Sequence, residues 1–312
     1  MRKYLDCHHD HGIVEVPDWR PHCWVNVEEP DNDDIKFMHG TMHVPSDFLD
    51  AAVDQNERPR LDKEDGWTLT IIRVPVRVHR GRDDRAMPYN TVPLGIIVND
   101  EIVLTVCARR TELVEDFIAH THERHIRIDQ VSDLILRLLY ATTYWYQRYL
   151  KDINDRVNRT VAGLGNSISN DDLLGLMDMQ KTLVYFNTSI KGNAVLLGHI
   201  QKSFEGHYDA DLLDDIDIEM QQDANTVDVY TEILSNIMDT YASVISNNVN
   251  DIMKKMTGVS IVLMLPTLIA SFYGMNVDVG WEGISWAFWI IIVASFGLAV
   301  LLYLILRKIH WL

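Results

Sequence analysis

Ser271-Phe272-Tyr273-Gly274-Met275-Asn276 closes an apolar stretch in which no residue is charged from Met256 to Met275. A second uncharged stretch runs from Ser285 to Leu306. Each is long enough to cross a bilayer, since a spanning helix needs about 20 apolar residues. Only the short segment from Val277 to Ile284 separates them, so two C-terminal membrane helices joined by a short loop are expected. Lys254 and Lys255 precede the first, Arg307 and Lys308 follow the second, and the loop carries Asp278 and Glu282 but no Lys or Arg. The positive-inside rule then places both termini in the cytosol, with Gly274, Met275 and Asn276 facing outward.

Upstream of the first apolar stretch the spacing predicts one very long helix from about Asp209. Leu213, Ile216, Met220, Ala224, Val227, Tyr230, Leu234, Ile237, Tyr241, Val244 and Ile252 recur mostly at three- and four-residue steps. No Gly or Pro stands between Asp209 and Lys255 to stop it, and only Pro266 allows a kink within the membrane. About 65 residues at 1.5 Å each make a rod roughly 100 Å long. One copy cannot easily cover such a stripe, which implies a symmetric homo-oligomer with packed central helices.

A second, polar line runs along the same helix: Asn250, Met253, Thr257, Ser260, Met264, Thr267 and Ser271. Its steps alternate between three and four, the geometry of a seam facing a symmetry axis. Uncharged hydroxyl, amide and thioether groups suit a narrow pore. Small residues that merely let membrane helices pack closely are the competing reading. Met256, one step round from Thr257, competes for the cytoplasmic constriction.

The composition is 47% hydrophobic, so a real core can form outside the membrane. A net charge of −17 argues against a nucleic-acid partner and suits a protein that concentrates cations. Cys7, Cys23 and Cys107 are widely spaced, as expected of reduced cytosolic thiols. Arg2 and Lys3 are followed by no apolar run, so no signal peptide is read. No P-loop, nucleophile elbow or metal-protease motif supports an enzyme.

Residues 1 to about 20 read as polar and irregular, and Cys7-His8-His9-Asp10-His11 lacks the second ligand group that a metal finger needs. From Trp24 to about Arg110 the pattern is α/β. Ser46 looks like the cap of a helix entering Asp47-Phe48-Leu49-Asp50. Trp67 to Val78, Pro93 to Val98 and Glu101 to Cys107 are β-branched runs, and Asn99-Asp100 signals a hairpin between the last two. Pro75 pushes its strand toward an edge or a bulge. Val131 to about Val157 reads as a buried helix whose Tyr140, Tyr144 and Trp145 belong to the core. Asn166 to Asn170 is a polar turn, and Leu173 to about Ile200 returns as a second helix. Of His120, His122 and His125, the first two lie two apart, on different faces of a helix, which favours a structural role.

Tyr273-Gly274-Met275-Asn276, at the end of the first of two C-terminal membrane helices, resembles the Gly-Met-Asn signature of the CorA family of magnesium channels. The basic ending Arg307-Lys308-Ile309-His310-Trp311-Leu312 is similar to that family, as are Trp24-Val25-Asn26-Val27 and Asn56-Glu57-Arg58-Pro59-Arg60-Leu61. The resemblance implies an α+β cytoplasmic domain of α/β/α type with a mixed sheet, then a stalk helix and two membrane helices, assembled as a homopentameric funnel. The expected division is an α/β domain over 1–125 and a helical hairpin over 126–208. The stalk and first membrane helix occupy 209–276, spanning at about 256–275. An external loop at 277–284, a second membrane helix at 285–306 and a basic tail at 307–312 complete it.

It further implies a divalent cation channel that moves Mg²⁺, with Co²⁺ or Ni²⁺ as further cargo, through a path lined by the polar seam and selected at Gly274, Met275 and Asn276. Mg²⁺ loses its waters reluctantly, and a ring of neutral amides accepts hydrogen bonds from those waters without holding the ion too tightly. The negative end of the helix dipole points to the same mouth, Gly274 lets the backbone turn there, and Asp278 and Glu282 raise local cation concentration or are simply solvated. Lys254, Lys255, Arg307 and Lys308 anchor at lipid headgroups, and in the family a basic collar is thought to oppose closure.

Asp209, Asp211, Asp214, Asp215, Asp217 and Glu219 crowd one end of the long helix. The family places a divalent sensor between subunits, pairing an acid at Asp215 with a Leu-Glu-Asp string. Here that string reads Leu49-Asp50-Ala51, so Asp50 would have to serve. Mg²⁺ at Asp50 and Asp215 would then favour the closed state. A relative that moves Zn²⁺, Co²⁺ or Ni²⁺ is the alternative within transport, although the relatives thought to carry zinc often depart from Gly-Met-Asn. A membrane-tethered sensor or scaffold is the alternative from another class, and it needs neither the seam nor the motif.

Overall fold

The structure is a computed structural model that describes residues 2–7, 12–78, 89–126, 128, 130–163, 170–204, 208–276, 286–309 and 311. It forms two compact units, Met1–Asn236 and Ile237–Leu312.

The first unit is built on a seven-stranded mixed sheet: β1 (Arg2–Asp6), β2 (Val14–Val16), β3 (Trp24–Glu28), β4 (Arg60–Glu64), β5 (Trp67–Arg77), β6 (Tyr89–Val98) and β7 (Val103–Cys107). The spatial order is β2-β1-β3-β7-β6-β5-β4, and the β3–β7 pair alone is parallel among the described strands. Asn99 makes the β6–β7 turn. Its Oδ1 accepts from the amides of Glu101 and Ile102, while its own amide donates to the Ile102 carbonyl at 3.0 Å. The hairpin is where its turn residues place it, but the turn takes up Glu101, and β7 begins only at Val103.

Helices α1 (Asn32–Gly40) and α2 (Ser46–Val53) cover one face of the sheet. Strand alternation puts Val25 and Val27 in that core, and Trp24 and Asn26 on the other face. There Trp24 meets Phe117 of α3 (Glu112–Glu123) edge-on. The indole nitrogen of Trp24 donates to Thr105 Oγ1 at 2.8 Å, and that hydroxyl donates to Asn26 Oδ1 at 2.8 Å, so a buried polar chain ties β3 to β7. Helices α4 (Val131–Gly163) and α5 (Asn170–Ser203) pack on β5 and β6, with Tyr89 stacked on Tyr149 and Tyr146 edge-on to Phe186.

Several expectations are corrected. The first 20 residues are not irregular throughout, because β1 pairs with β2 and β3. Ser46 does not cap α2: the N-cap is Pro45, and the Ser46 hydroxyl donates to the side chain of its neighbour Asp47. Tyr140 and Tyr144 are exposed, and only Trp145 of that group is in the core. Residues 8–11 and 164–169, which hold the histidine run and most of the polar turn, lie outside the described residues.

Pro75 follows its edge preference locally. β4 pairs with β5 only as far as Ile71, so the strand has no neighbour on that side where proline stands. Just before it, the amide side chain of Asn193 on α5 accepts from the Arg73 amide at 2.9 Å and donates to the Arg73 carbonyl at 2.8 Å, standing in for the missing strand. On β6, Gly95 lets α2 approach. A Cβ there would lie 2.5 Å from the Ala52 Cβ and 3.3 Å from its Cα. Gly95→Ala is therefore expected to cost about 1–3 kcal/mol through overpacking and to lower the melting temperature of the purified protein by several degrees.

Helix α6 runs without interruption from Ala210 to Tyr273, 64 residues, and contributes to both units. Its buried positions include Leu213, Ile216, Met220, Val227, Leu234 and Tyr241; beyond Tyr241 the apolar residues Val244 and Ile252 are exposed. Helix α7 is Ala287–Lys308. Both α6 and α7 are long and apolar enough to cross a membrane, and within the chain only 6% and 17% of their apolar windows are covered.

Candidate ion pathway

The second unit holds the end of α6 and all of α7. On α6 the least exposed positions are Gly258, Val262, Leu265, Pro266, Ile269 and Tyr273. On α7 they include Ala287, Ser295, Ala299 and Leu306, spaced by whole turns and mostly small. Asn250, Met253, Thr257, Ser260, Met264, Thr267 and Ser271 are all exposed. At about 100° per residue the exposed seam and the covered stripe fall on opposite sides of α6. Met256, also exposed, sits at the edge of the seam.

Two seam hydroxyls are fixed. Ser260 Oγ donates to the Met256 carbonyl at 2.9 Å, and Thr267 Oγ1 donates to the Leu263 carbonyl at 3.0 Å. With the proton turned back into the helix, each oxygen presents only lone pairs outward. That is the polarity a hydrated cation meets best, since its waters point hydrogens away from the metal. Between these hydroxyls Pro266 has no amide hydrogen, so the Val262 carbonyl loses its helical partner.

At the Tyr273 end of α6 the Gly274 amide still donates to the Ala270 carbonyl at 2.9 Å, and the Met275 amide donates to the Phe272 carbonyl at 3.4 Å. Gly274, Met275 and Asn276 are exposed. The chain turns here, but Gly274 is not among the glycines with left-handed backbone, which are Gly12 and Gly66 among the described residues. Its lack of a side chain matters for space instead: a Cβ would lie 3.2 Å from the Ala270 carbonyl oxygen. The loop residues Asp278 and Glu282, with the rest of 277–285, lie outside the described residues.

At the other end, Lys254 Nζ is 3.7 Å from Asp251 Oδ1, and Lys255, Arg307 and Lys308 are exposed. Asn250, Met253, Lys254 and Thr257 share a shallow groove with Trp311, whose amide donates to the Leu306 carbonyl at 2.9 Å.

In the first unit Asp50 on α2 and Asp215 on α6 are both exposed. Neither side chain has a hydrogen-bond or ion-pair partner among the described residues, and neither belongs to a group of three or more acidic or metal-ligating side chains there. Ala51 is only 6% exposed and belongs to the core under α2, so an acid at that position would be buried rather than offered to a metal. The Trp24–Val27 block serves the sheet interior, and the Asn56–Leu61 block leads into β4.

The family model for the CorA-like Mg²⁺ transporter protein matches residues 20–308. The chain is 21% identical over 296 residues to the "Cobalt/magnesium transport protein CorA" of Methanocaldococcus jannaschii, covering 93% of this chain and 91% of that protein. The solved structure of the complete CorA magnesium transporter from the same organism superposes with a TM-score of 0.80 at 19% identity, over 100% of this chain and 99% of that one. The full-length CmaX protein superposes with a TM-score of 0.69 at 15% identity, over 99% and 97%.

Proposed function

Because this chain belongs to the CorA-like Mg²⁺ transporter family, we propose that it passes Mg²⁺ through a membrane along the seam of α6, at the axis of a homo-oligomer of five copies. The observation that carries this reading is the seam itself. Seven uncharged positions lie opposite the covered side of α6, exposed in the single chain, and end at an intact Gly274-Met275-Asn276. Met256 and Met264 are the constrictions, large and apolar but flexible. Gly274, Met275 and Asn276 form the outer selectivity ring, and Asn276 accepts hydrogen bonds from the waters of the ion. Co²⁺ and Ni²⁺ are secondary cargo, in keeping with the name of the M. jannaschii relative as far as cobalt is concerned.

Both termini lie in the cytosol, and Lys254, Lys255, Arg307 and Lys308 form a basic band at that headgroup layer. Asp50 and Asp215 are unpaired, exposed carboxylates on different elements. They suit a hydrated Mg²⁺ held between neighbouring subunits, and two oxygens donors of this kind leave most of its octahedron to water. Such an ion stabilises the closed assembly and gives feedback by cytosolic Mg²⁺.

Flux of Mg²⁺ into proteoliposomes containing the purified full-length protein, with Co²⁺ and Zn²⁺ run in parallel, tests the reading. Mg²⁺ entry that exceeds Zn²⁺ entry is expected. Absence of any cation flux at every internal Mg²⁺ concentration would instead leave the two apolar helices as anchors for a sensor.

A further inference from the structure

We propose that Asp223, with Glu219 and Gln147 beside it, is a proton-binding site buried where α6 meets α4 in the first unit. Asp223 continues the covered stripe of α6: Leu213, Ile216, Met220, Asp223 and Val227 follow at steps of three and four, and all are buried. It is 1% exposed, and its Oδ2 is buried with no hydrogen-bond partner among the described residues. Glu219 stands one turn earlier on α6. The Gln147 side chain of α4 donates from Nε2 to Glu219 Oε2, and its amide also bears on the Asp223 carboxyl, favouring the ionised form against burial.

An ionised Asp223 would be a dehydrated anion beside a second anion, with one of its oxygens unsatisfied. The ionisable groups that bear on it are Glu219 on its own helix and the Tyr146 phenol on α4; no cation is among them in the described residues. Three bases of the surrounding elements are engaged, while His120 and Arg124 line the cleft reached by Glu219, whose lining does not include Asp223. Arg73 on β5 donates to the carbonyls of Gln55, Glu57 and Thr91, Lys191 on α5 is paired with Asp228, and Arg137 on α4 is paired with Asp133. Burial first, and then the charge of Glu219, push the Asp223 carboxyl up to about 7 against the opposing Gln147 bond. A divalent metal is a poorer occupant: it needs about six oxygens, and no three acidic or metal-ligating side chains converge among the described residues.

A proton has a way in. Gln147 and Glu219 also line a cleft between α3, α4 and α6, together with His120, Arg124, Tyr140 and Tyr144. Glu219 is itself only half-buried there, so the outer carboxyl of the pair meets solvent and the inner one exchanges through it. The charge at the α4–α6 junction then follows cytosolic pH near neutrality.

Infrared difference spectroscopy of the full-length protein in detergent, titrated from about pH 6 to about pH 8, tests this directly, because ordinary carboxyls with pKa near 4 are already ionised there. The wild type should show the carbonyl stretch of a neutral carboxylic acid, lost with a midpoint near 7. Asp223→Asn should lack the band, and Glu219→Gln should move the midpoint to lower pH by removing the like charge. Thermal melts give a second readout. The raised carboxyl adds stability that is fully present below 3.8 and is lost as pH rises to about 7, about tenfold in the folding equilibrium per pH unit. That slope should vanish in Asp223→Asn, the neutral isostere. No neutral-acid band at pH 6, a band that survives in Asp223→Asn, a Glu219→Gln midpoint that does not move, or an Asp223→Asn chain that cannot fold would each overturn the proposal. So would a band erased at pH 6 by Mg²⁺, which would make the occupant a metal.

Discussion

Asn276→Ala is expected to remove Mg²⁺-selective flux while leaving the protein folded and assembled. Asn276 is exposed beyond the last turn of α6, so truncating it opens no cavity. On the proposed reading it removes one acceptor per subunit for the waters of the incoming ion. A hydrogen bond of this kind contributes about 1 kcal/mol net, and a symmetric ring loses it in every copy at once. Over about three or more copies that is about a hundredfold or more in occupancy of the mouth. Flux of Mg²⁺ into proteoliposomes should fall by at least that factor, with the oligomer unchanged by size-exclusion chromatography. Undiminished, still selective Mg²⁺ flux would move selection to the seam further in. Gly274→Ala should act differently, because its Cβ would press on the Ala270 carbonyl oxygen and displace the ring rather than strip it of acceptors.

The second large effect concerns closure. In Asp215→Asn the concentration of internal Mg²⁺ that half-closes the pathway should rise about tenfold, within the range of about 5- to 150-fold typical of coupled sites. Peak flux in the absence of internal Mg²⁺ should be unchanged, since Asp215 lies in the first unit and the seam in the second. Asp50→Asn should give a shift in the same direction. Because Asp215 is exposed and has no partner among the described residues, neutralising it costs the single chain little, which separates loss of regulation from loss of fold. An unchanged Mg²⁺ dependence of closure in both variants would sink the assignment.

Much of this architecture was open to reading from the residues alone, and the reasons are local. α6 announces itself through a stripe with no Gly or Pro to break it, α7 through an uncharged run, and the β6–β7 hairpin through Asn99. What escaped depends on distant partners. β1 and β2 are short and polar, and they become strands because β3 offers a ladder to β1. The helix α1 did leave a trace. Asp31 and Asp34 form a capping box, with Asp31 Oδ1 accepting from the Asp34 amide at 2.7 Å and Asp34 Oδ2 accepting in return at 3.4 Å. The stripe read from the sequence runs through Ala224, which is only half-buried, whereas its neighbour Asp223, an acid that hydrophobic spacing passes over, holds the buried position. The close approach of Gly95 to Ala52 left no trace, because two small residues 43 positions apart say nothing until a helix is laid across a sheet. Among the candidate pathway residues, the spacing of the seam was legible, whereas the direction of its hydroxyl protons was not.

The amide of Asn193 that completes β5 at Arg73 has a consequence for how copies of this chain can associate. A sheet margin with free amides and carbonyls is an invitation to any other extended chain. Here the margin is closed twice over. β4 carries Arg60, Asp62, Lys63 and Glu64 along its outer course, and where β4 stops, a side chain from a helix occupies the vacancy as a plug. Another copy therefore finds a charged edge strand and, past its end, backbone groups at Arg73 that are already taken, which disfavours edge-to-edge pairing on that side.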